Sequence, residues 1–370
     1  AHPMWLETHN LFLIFPVEAT ISLDPDATFT AVMRFLLYGG VFWLAAKYSR
    51  ENETAYLILK ASIIAITIYS VYGLIVFFGE FNTILWFDKW AYRGHLTSTF
   101  VNKNTFATFA GLGLLASVAL LFDQISENAH YNQTIRSKIR HLIETILSRA
   151  WLPAVGTLLI ATALLLTHSR GGLLSSCAAL LVLLFSLISV RMVPKVLGYF
   201  MFSAVILGAI FAAITSGEGV FQRLGKTTLN SSMRDEVYEL VIDAWTANPI
   251  LGTGYGTFET VFRHYKTPEL SRNNWEKAHN TYLELLLEVG SLTTIFLIAL
   301  FIWIFGVCVY GMVKRRRRKV FATLGVAAIV LVSLHAVVDF SLQIPGFTLF
   351  FAMIMGMAWS QSWPSRHKTN

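Results

Sequence analysis

The chain has 370 residues, 55% hydrophobic and only 14% charged, with a mean hydropathy of +0.57. Soluble domains carry roughly 25% charged residues, so this composition excludes one and points to a polytopic membrane protein. The net charge of +7 and pI near 9.4 would suggest a nucleic-acid partner in a soluble chain; here the charges must first be sorted by side of the membrane.

Apolar runs approaching the ~20 residues that cross a bilayer predict nine spanning helices, at about 28–48, 56–78, 104–122, 151–167, 171–190, 196–215, 291–313, 320–338 and 346–361. The expected fold class is all-α, a transmembrane helical bundle with a large extracytoplasmic helical loop. It divides into a bundle over 1–215, the loop over 216–290, and helices with a cytoplasmic tail over 291–370. One set of connectors holds 17 of the 29 Lys and Arg and five of the 22 acids. The positive-inside rule places that set in the cytoplasm. The run KRRRRK at 314–319 then reads as a cytoplasmic anchor, and no nucleic acid is expected as a partner. Nine helices with a cytoplasmic C-terminus leave residue 1 outside. For a sequence opening AHPMW, without a Met at its first position or a basic-then-apolar leader, this suggests that further helices precede it. Cys177 and Cys308 lie in apolar runs, so neither a disulfide framework nor a cysteine-based zinc site is expected.

Several polar residues gather at the outer ends of the predicted helices. Arg34 lies about a turn and a half from the outer end of its helix. FVNKN sets Lys103 between two asparagines, and THSRGG makes a turn carrying His168 and Arg170. Cations at such depths are expensive unless they meet an anion or a polar cavity. Taken singly, Arg34 and Lys103 can also snorkel to the interface; together they suggest an anion pocket.

The 216–290 connector is too long to lack a purpose. SSMRDEVYELVIDAWTANP predicts a helix opened by Ser232 with Asp235 as its capping partner and closed by Asn248-Pro249. Met233, Val237, Leu240, Val241 and Ala244 share one face, and Asp235, Glu239 and Asp243 another. Arg234 falls in the first turn, where a cation opposes the helix dipole. A guanidinium beside free backbone N–H groups suits phosphate oxygens; the alternative is a pair with Asp235. NPILGTGYGTF alternates Gly252, Gly254 and Gly256, which permits tight turns or close approach to a ligand. WEKAHNTYLELLLEVG then predicts a helix with Leu283, Leu286 and Leu287 inward and Gly290 as its stop. Asn280, Glu284 and Glu288 form a polar stripe on it. His279 heads this helix; it is either a capping and packing residue or a general base able to accept a proton at neutral pH.

LHAVVDFSLQIPG places His335 and Asp339 at i, i+4 near the outer surface. They either contact substrate or, the preferred reading, form a polar pair holding helices together. No clustered metal-ligand spacing occurs, so no metal and no cofactor are expected.

FVNKNTFATF, HSRGG, MRDEVYELVIDAWTANPILGTGYGTF, AHNTYLELLLEVG and VDFSLQIPG, in this order, resemble the O-antigen ligase superfamily, which includes O-antigen polymerases and protein O-oligosaccharyltransferases. The resemblance spans about residues 95 to 350. It implies a bacterial inner-membrane enzyme with a periplasmic loop folded over an outward cavity. Its partners would be an undecaprenyl diphosphate-linked glycan donor and a lipid A–core or glycan acceptor, with membrane lipids around it. It further implies that Arg170 and Arg234 are the family's site arginines and His279 its catalytic histidine. Lys103 is added as a diphosphate contact, with Arg34, His168, Asn280, Glu284, His335 and Asp339 as accessory residues. Ligation to lipid A–core is preferred over polymerisation of glycan repeats. A transporter would show paired broken helices and internal repeats, which the sequence does not clearly display.

Overall fold

A computed structural model describes residues 20–127, 135–193, 195–215, 220–268, 270 and 275–363. The fold is helical: α1 Pro25–Tyr48, α2 Asn52–Phe78, α3 Lys103–Glu127, α4 Ile135–Ser148, α5 Trp151–Leu166, α6 Arg170–Ser189, α7 Lys195–Thr215, α8 Val220–Thr246, α9 Phe258–Tyr265, α10 Thr281–Lys314, α11 Val320–His335 and α12 Pro345–Ser360. A two-residue hairpin, β1 Thr83–Ile84 against β2 Phe87–Asp88, interrupts the α2–α3 connection. Each of the nine predicted spans coincides with a helix. Among the described residues, five helices (α1, α2, α3, α6 and α10) are long and apolar enough to cross a bilayer, or six if the bent α4–α5 pair is one span. Shorter apolar helices occur within α7, α11 and α12. The chain is thus a mostly helical, multi-pass membrane bundle.

The chain falls into two compact units. One lies within 1–39, 217–302 and 336–345, and the other within 40–216, 303–335 and 346–370. In the second, the bundle unit, α3 is the hub, packed against α2, α5, α6 and α11 and almost wholly buried. Lipid supplies little hydrophobic drive between helices, so close packing through small residues holds such seams. A Cβ added at Gly111 would collide with Ser176, and one at Gly172 with Ala107. Any larger residue there would push α3 and α6 apart. Leu158, Phe185 and Leu207 stay exposed, as side chains that face hydrocarbon do. The basic connector 135–148 is itself a helix, and its C-terminal part bends by 85° from α5. Ile139, Leu142, Ile143, Ile146 and Leu147 recur along it at helical spacing, a pattern hidden within a segment read as a charged connector.

The first, the loop unit, has a small core of its own. Val237, Val241 and Ala244 of α8 pack with Phe258, Val261 and Phe262 of α9, and with Leu270, Ala278 and Leu287. The predicted apolar face of α8 is therefore satisfied by its own unit, and Asp235, Glu239 and Asp243 are exposed on the other side. Gly290 breaks α10 as predicted: with φ 71° and ψ 173° it is non-helical, separating 281–289 from 291–314.

Candidate functional site

His279 owes its place to the start of α10. Asn280 is the N-cap, its Oδ1 accepting from the N–H groups of Tyr282 (3.1 Å) and Leu283 (3.2 Å), which satisfies donors that have no partner within the helix. Thr281 then ties the helix head to the segment after α11. Its N–H donates to the Ala336 carbonyl at 2.8 Å, and its Oγ1 to the Asp339 carbonyl at 2.9 Å. Docked this way, His279 takes a left-handed backbone with φ 55°, and its Nδ1 lies 3.4 Å from Oδ1 of the buried Asp339. The contact is within ion-pair reach but off the line of a hydrogen bond. Phe340 stands edge-on to the imidazole at 4.9 Å and Trp275 at 6.0 Å. The Tyr238 hydroxyl donates to the His279 carbonyl at 3.2 Å. Burial raises the Tyr238 phenol above its usual range, Arg234 opposing while Asp235 and Asp339 add to the rise. Arg234, one turn before Tyr238, thus acts electrostatically on the residue that grips His279.

A cavity of about 230 Å³ lies in the same unit, lined by Arg34, Tyr38, Tyr255, Lys277, Glu288 and Gln343 among others. Lys277 Nζ donates to Glu284 at 3.1 Å, and the other Glu284 oxygen accepts from Ala278 N–H at 2.9 Å. Burial alone would lower Lys277, but the Glu284 and Glu288 carboxylates outweigh it and hold the ammonium above the usual lysine range. Burial pushes the Tyr255 phenol far up, with Glu288 and Glu284 adding to it. Glu288 accepts the Phe258 N–H at 2.9 Å. The polar stripe predicted on α10 therefore runs inward, since Glu284 and Glu288 are both only 1% exposed. The alternating glycines serve this packing. Gly252, Gly254 and Gly256 all have positive φ, and a Cβ on Gly252 would sit 2.5 Å from the Glu288 carbonyl oxygen.

Two expectations are corrected. Arg234 is not in a first turn: α8 begins at Val220, so the N–H groups around Arg234 belong to a continuous helix and cannot serve an anion. The predicted capping residue Ser232 accordingly lies inside α8. Among the described residues Arg234 has no hydrogen bond or ion pair, Asp235 included. Nor do His335 and Asp339 share a helix face, because α11 ends at His335 and the chain turns before Asp339. His335 meets Thr108 Oγ1 through Nδ1 at 2.9 Å within the bundle unit, whereas Asp339 faces His279.

The bundle unit holds a second polar cluster. Lys103 Nζ donates to the His168 carbonyl at 3.3 Å and lies 5.9 Å from the Tyr92 ring centre. Ser169 Oγ donates to Asn104 Oδ1 at 2.8 Å and accepts from Gly172 N–H, capping α6. Arg170 is exposed in the first turn of α6. The pairing of arginine with a helix start, expected at Arg234, therefore occurs at Arg170. Lys103, His168 and Arg170 are brought together here. His279, Asn280, Glu284, Arg234, Arg34 and Asp339 belong to the loop unit.

Sequence reasoning missed Tyr38, Tyr238, Tyr255, Lys277 and Gln343. Two had a signal: Lys277 stands two residues before His279, and Tyr255 sits between two alternating glycines. Gln343 had none, being brought in by the turn after α11. Among the described residues no group of three or more His, Cys, Asp or Glu is arranged to hold a metal ion. No curated protein matches the chain. Over residues 155–298, which include Arg170, Arg234 and His279, the chain matches a family model described as O-antigen ligase.

Proposed function

We propose that the chain transfers a glycan from undecaprenyl diphosphate to an acceptor hydroxyl at the periplasmic face of a bacterial inner membrane, without a metal, and that the acceptor is lipid A–core. In this reading 216–290 is the periplasmic loop, set between the bundle of 1–215 and the helices of 291–370. The observation that carries it is His279 held against the buried Asp339 carboxylate, within a segment that matches the ligase family model. Nδ1 faces the carboxylate, so Nε2 takes the proton from the acceptor hydroxyl. The freed oxygen bonds to the anomeric carbon as the bond from that carbon to the diphosphate oxygen breaks. The diphosphate leaves with the electron pair, and a single displacement inverts the anomeric carbon. Asp339 holds the imidazole in orientation and stabilises it once charged. Arg234 supplies positive charge for the leaving diphosphate, a contribution worth several kcal/mol in a water-poor site.

The test is transfer by purified protein from an undecaprenyl diphosphate-linked glycan in EDTA, with lipid A–core and glycan acceptors offered separately. Turnover onto lipid A–core alone supports the ligase; elongated glycan on the diphosphate lipid makes the enzyme a polymerase. Near-normal transfer by His279→Ala removes the histidine from its role.

A further inference from the structure

We infer that the loop-unit cavity is a subsite for one neutral sugar ring, recognised as a polyol and not as an anion; this rests on the glycan-transfer reading above. Its volume of about 230 Å³ corresponds to roughly eight waters at ~30 Å³ each, room for one pyranose ring and not for two. Several of the polar groups around it lack partners. Gln343 Nε2 and Oε1 are both buried without a hydrogen bond. Among the described residues Arg34 and the hydroxyls of Tyr38 and Tyr255 make none either. Buried polar atoms in folded proteins are nearly always satisfied, so an unbonded amide on a residue of the cavity wall marks a place where a ligand completes the bonding.

The chemistry of the wall selects the ligand class. An amide offers a donor and an acceptor side by side, and each phenol offers both, as neighbouring ring hydroxyls require. Tyr255 presents an aromatic surface, its ring packed 4.9 Å from that of Phe35, on which the C–H face of a sugar can rest. Charge gives an anion one partner only. Lys277 is already neutralised by Glu284 at 3.1 Å, and burial, with Glu284 adding to it, pushes the Glu288 carboxyl up to about 8. The wall therefore offers Arg34 alone to a carboxylate or phosphate, while a protonated Glu288 can donate to a ring hydroxyl. Gly256, with φ +89° and no side chain, lets the ligand approach the backbone. Lys277 and His279 lie on one short stretch, so a ring held here is held beside the segment that carries the base.

The experiment is saturation-transfer NMR on the protein in nanodiscs, with glucose, N-acetylglucosamine and inorganic phosphate as probes. Ring-proton signals from at least one hexose are expected, unchanged by equimolar phosphate. Tyr255→Phe removes one oxygen and Gln343→Leu an amide at similar size; each should lower that signal at least fivefold while the thermal transition stays in place. Absence of a hexose signal, full signal in both variants, or displacement by phosphate overturns the inference. His279→Ala separates the two readings: it should keep the hexose signal and lose transfer. Hexose binding beside normal transfer by that variant would sink the catalytic reading and leave the subsite standing; lost transfer without hexose binding would do the reverse.

Discussion

His279 and His168 are built alike. Both have left-handed backbones, φ 55° and φ 50°, and both immediately precede a side-chain N-cap: Asn280 for α10, Ser169 for α6. The difference lies in what each ring meets. His279 is 22% exposed and faces the carboxylate of Asp339. His168 is exposed, and its Nδ1 lies 3.4 Å from His95 Nδ1. The comparison teaches that local sequence around a histidine sets its backbone, while a residue 60 positions away sets what its ring meets.

Six substitutions can break or sharpen that contrast. The largest effect is expected at His279: replacement by Ala should cost roughly 10²–10⁴-fold in transfer, the usual worth of a general base, and His168→Ala far less. Equal losses in the glycan-transfer assay would erase the distinction drawn above. Asp339→Asn comes next. It keeps the shape but removes the charge that holds the imidazolium, and should lower kcat by on the order of 10–100-fold, about 1.4–2.7 kcal/mol, with little change in KM. An unchanged kcat would reduce Asp339 to a packing residue.

Lys277→Met leaves Glu284 buried without its cation and should cost about 3 kcal/mol of stability, read as a lower thermal midpoint in detergent. Lys277 is raised above its usual value. Its contribution is therefore complete below the unfolded lysine value of about 10.4, and disappears as pH climbs through the raised one. A stability difference from wild type that already vanished near pH 8 would contradict the pair. The smallest effects are the caps: Asn280→Ala and Ser169→Ala should each cost ~1 kcal/mol. Similar losses are expected because the two turns share one local design, and a marked inequality would show that they do not.

Much of the architecture was legible, because lipid demands long apolar helices and leaves their lengths in the sequence. The helices over the predicted spans, the inward face of α8 and the break at Gly290 all follow from periodicity and turn chemistry. Arg234 was misplaced because Ser232 with Asp235 satisfies a capping pattern inside a helix that starts at Val220. His335 and Asp339 were misjudged because i, i+4 spacing implies a shared face only while the helix lasts, and α11 ends between them. The Asp339 contact and the Gln343 wall depend on how 336–345 docks against the head of α10. No residue within either segment states that docking.

Gly252 and Gly290 meet each other's neighbourhoods without side chains. Gly252 sits against the Glu288 carbonyl and the Gly290 N–H, and Gly290 against the Ile250 carbonyl. The Thr253 and Gly254 N–H groups donate to carbonyls at Leu287 and Glu288. This clasp is made of main chain, which is the same at every position, so it asks only that two residues stay bare. A cavity-lining side chain strung between its ends, such as Tyr255, can be exchanged for another while the clasp keeps its register. The reader of the ligand can thus be rewritten without reopening the fold that holds it.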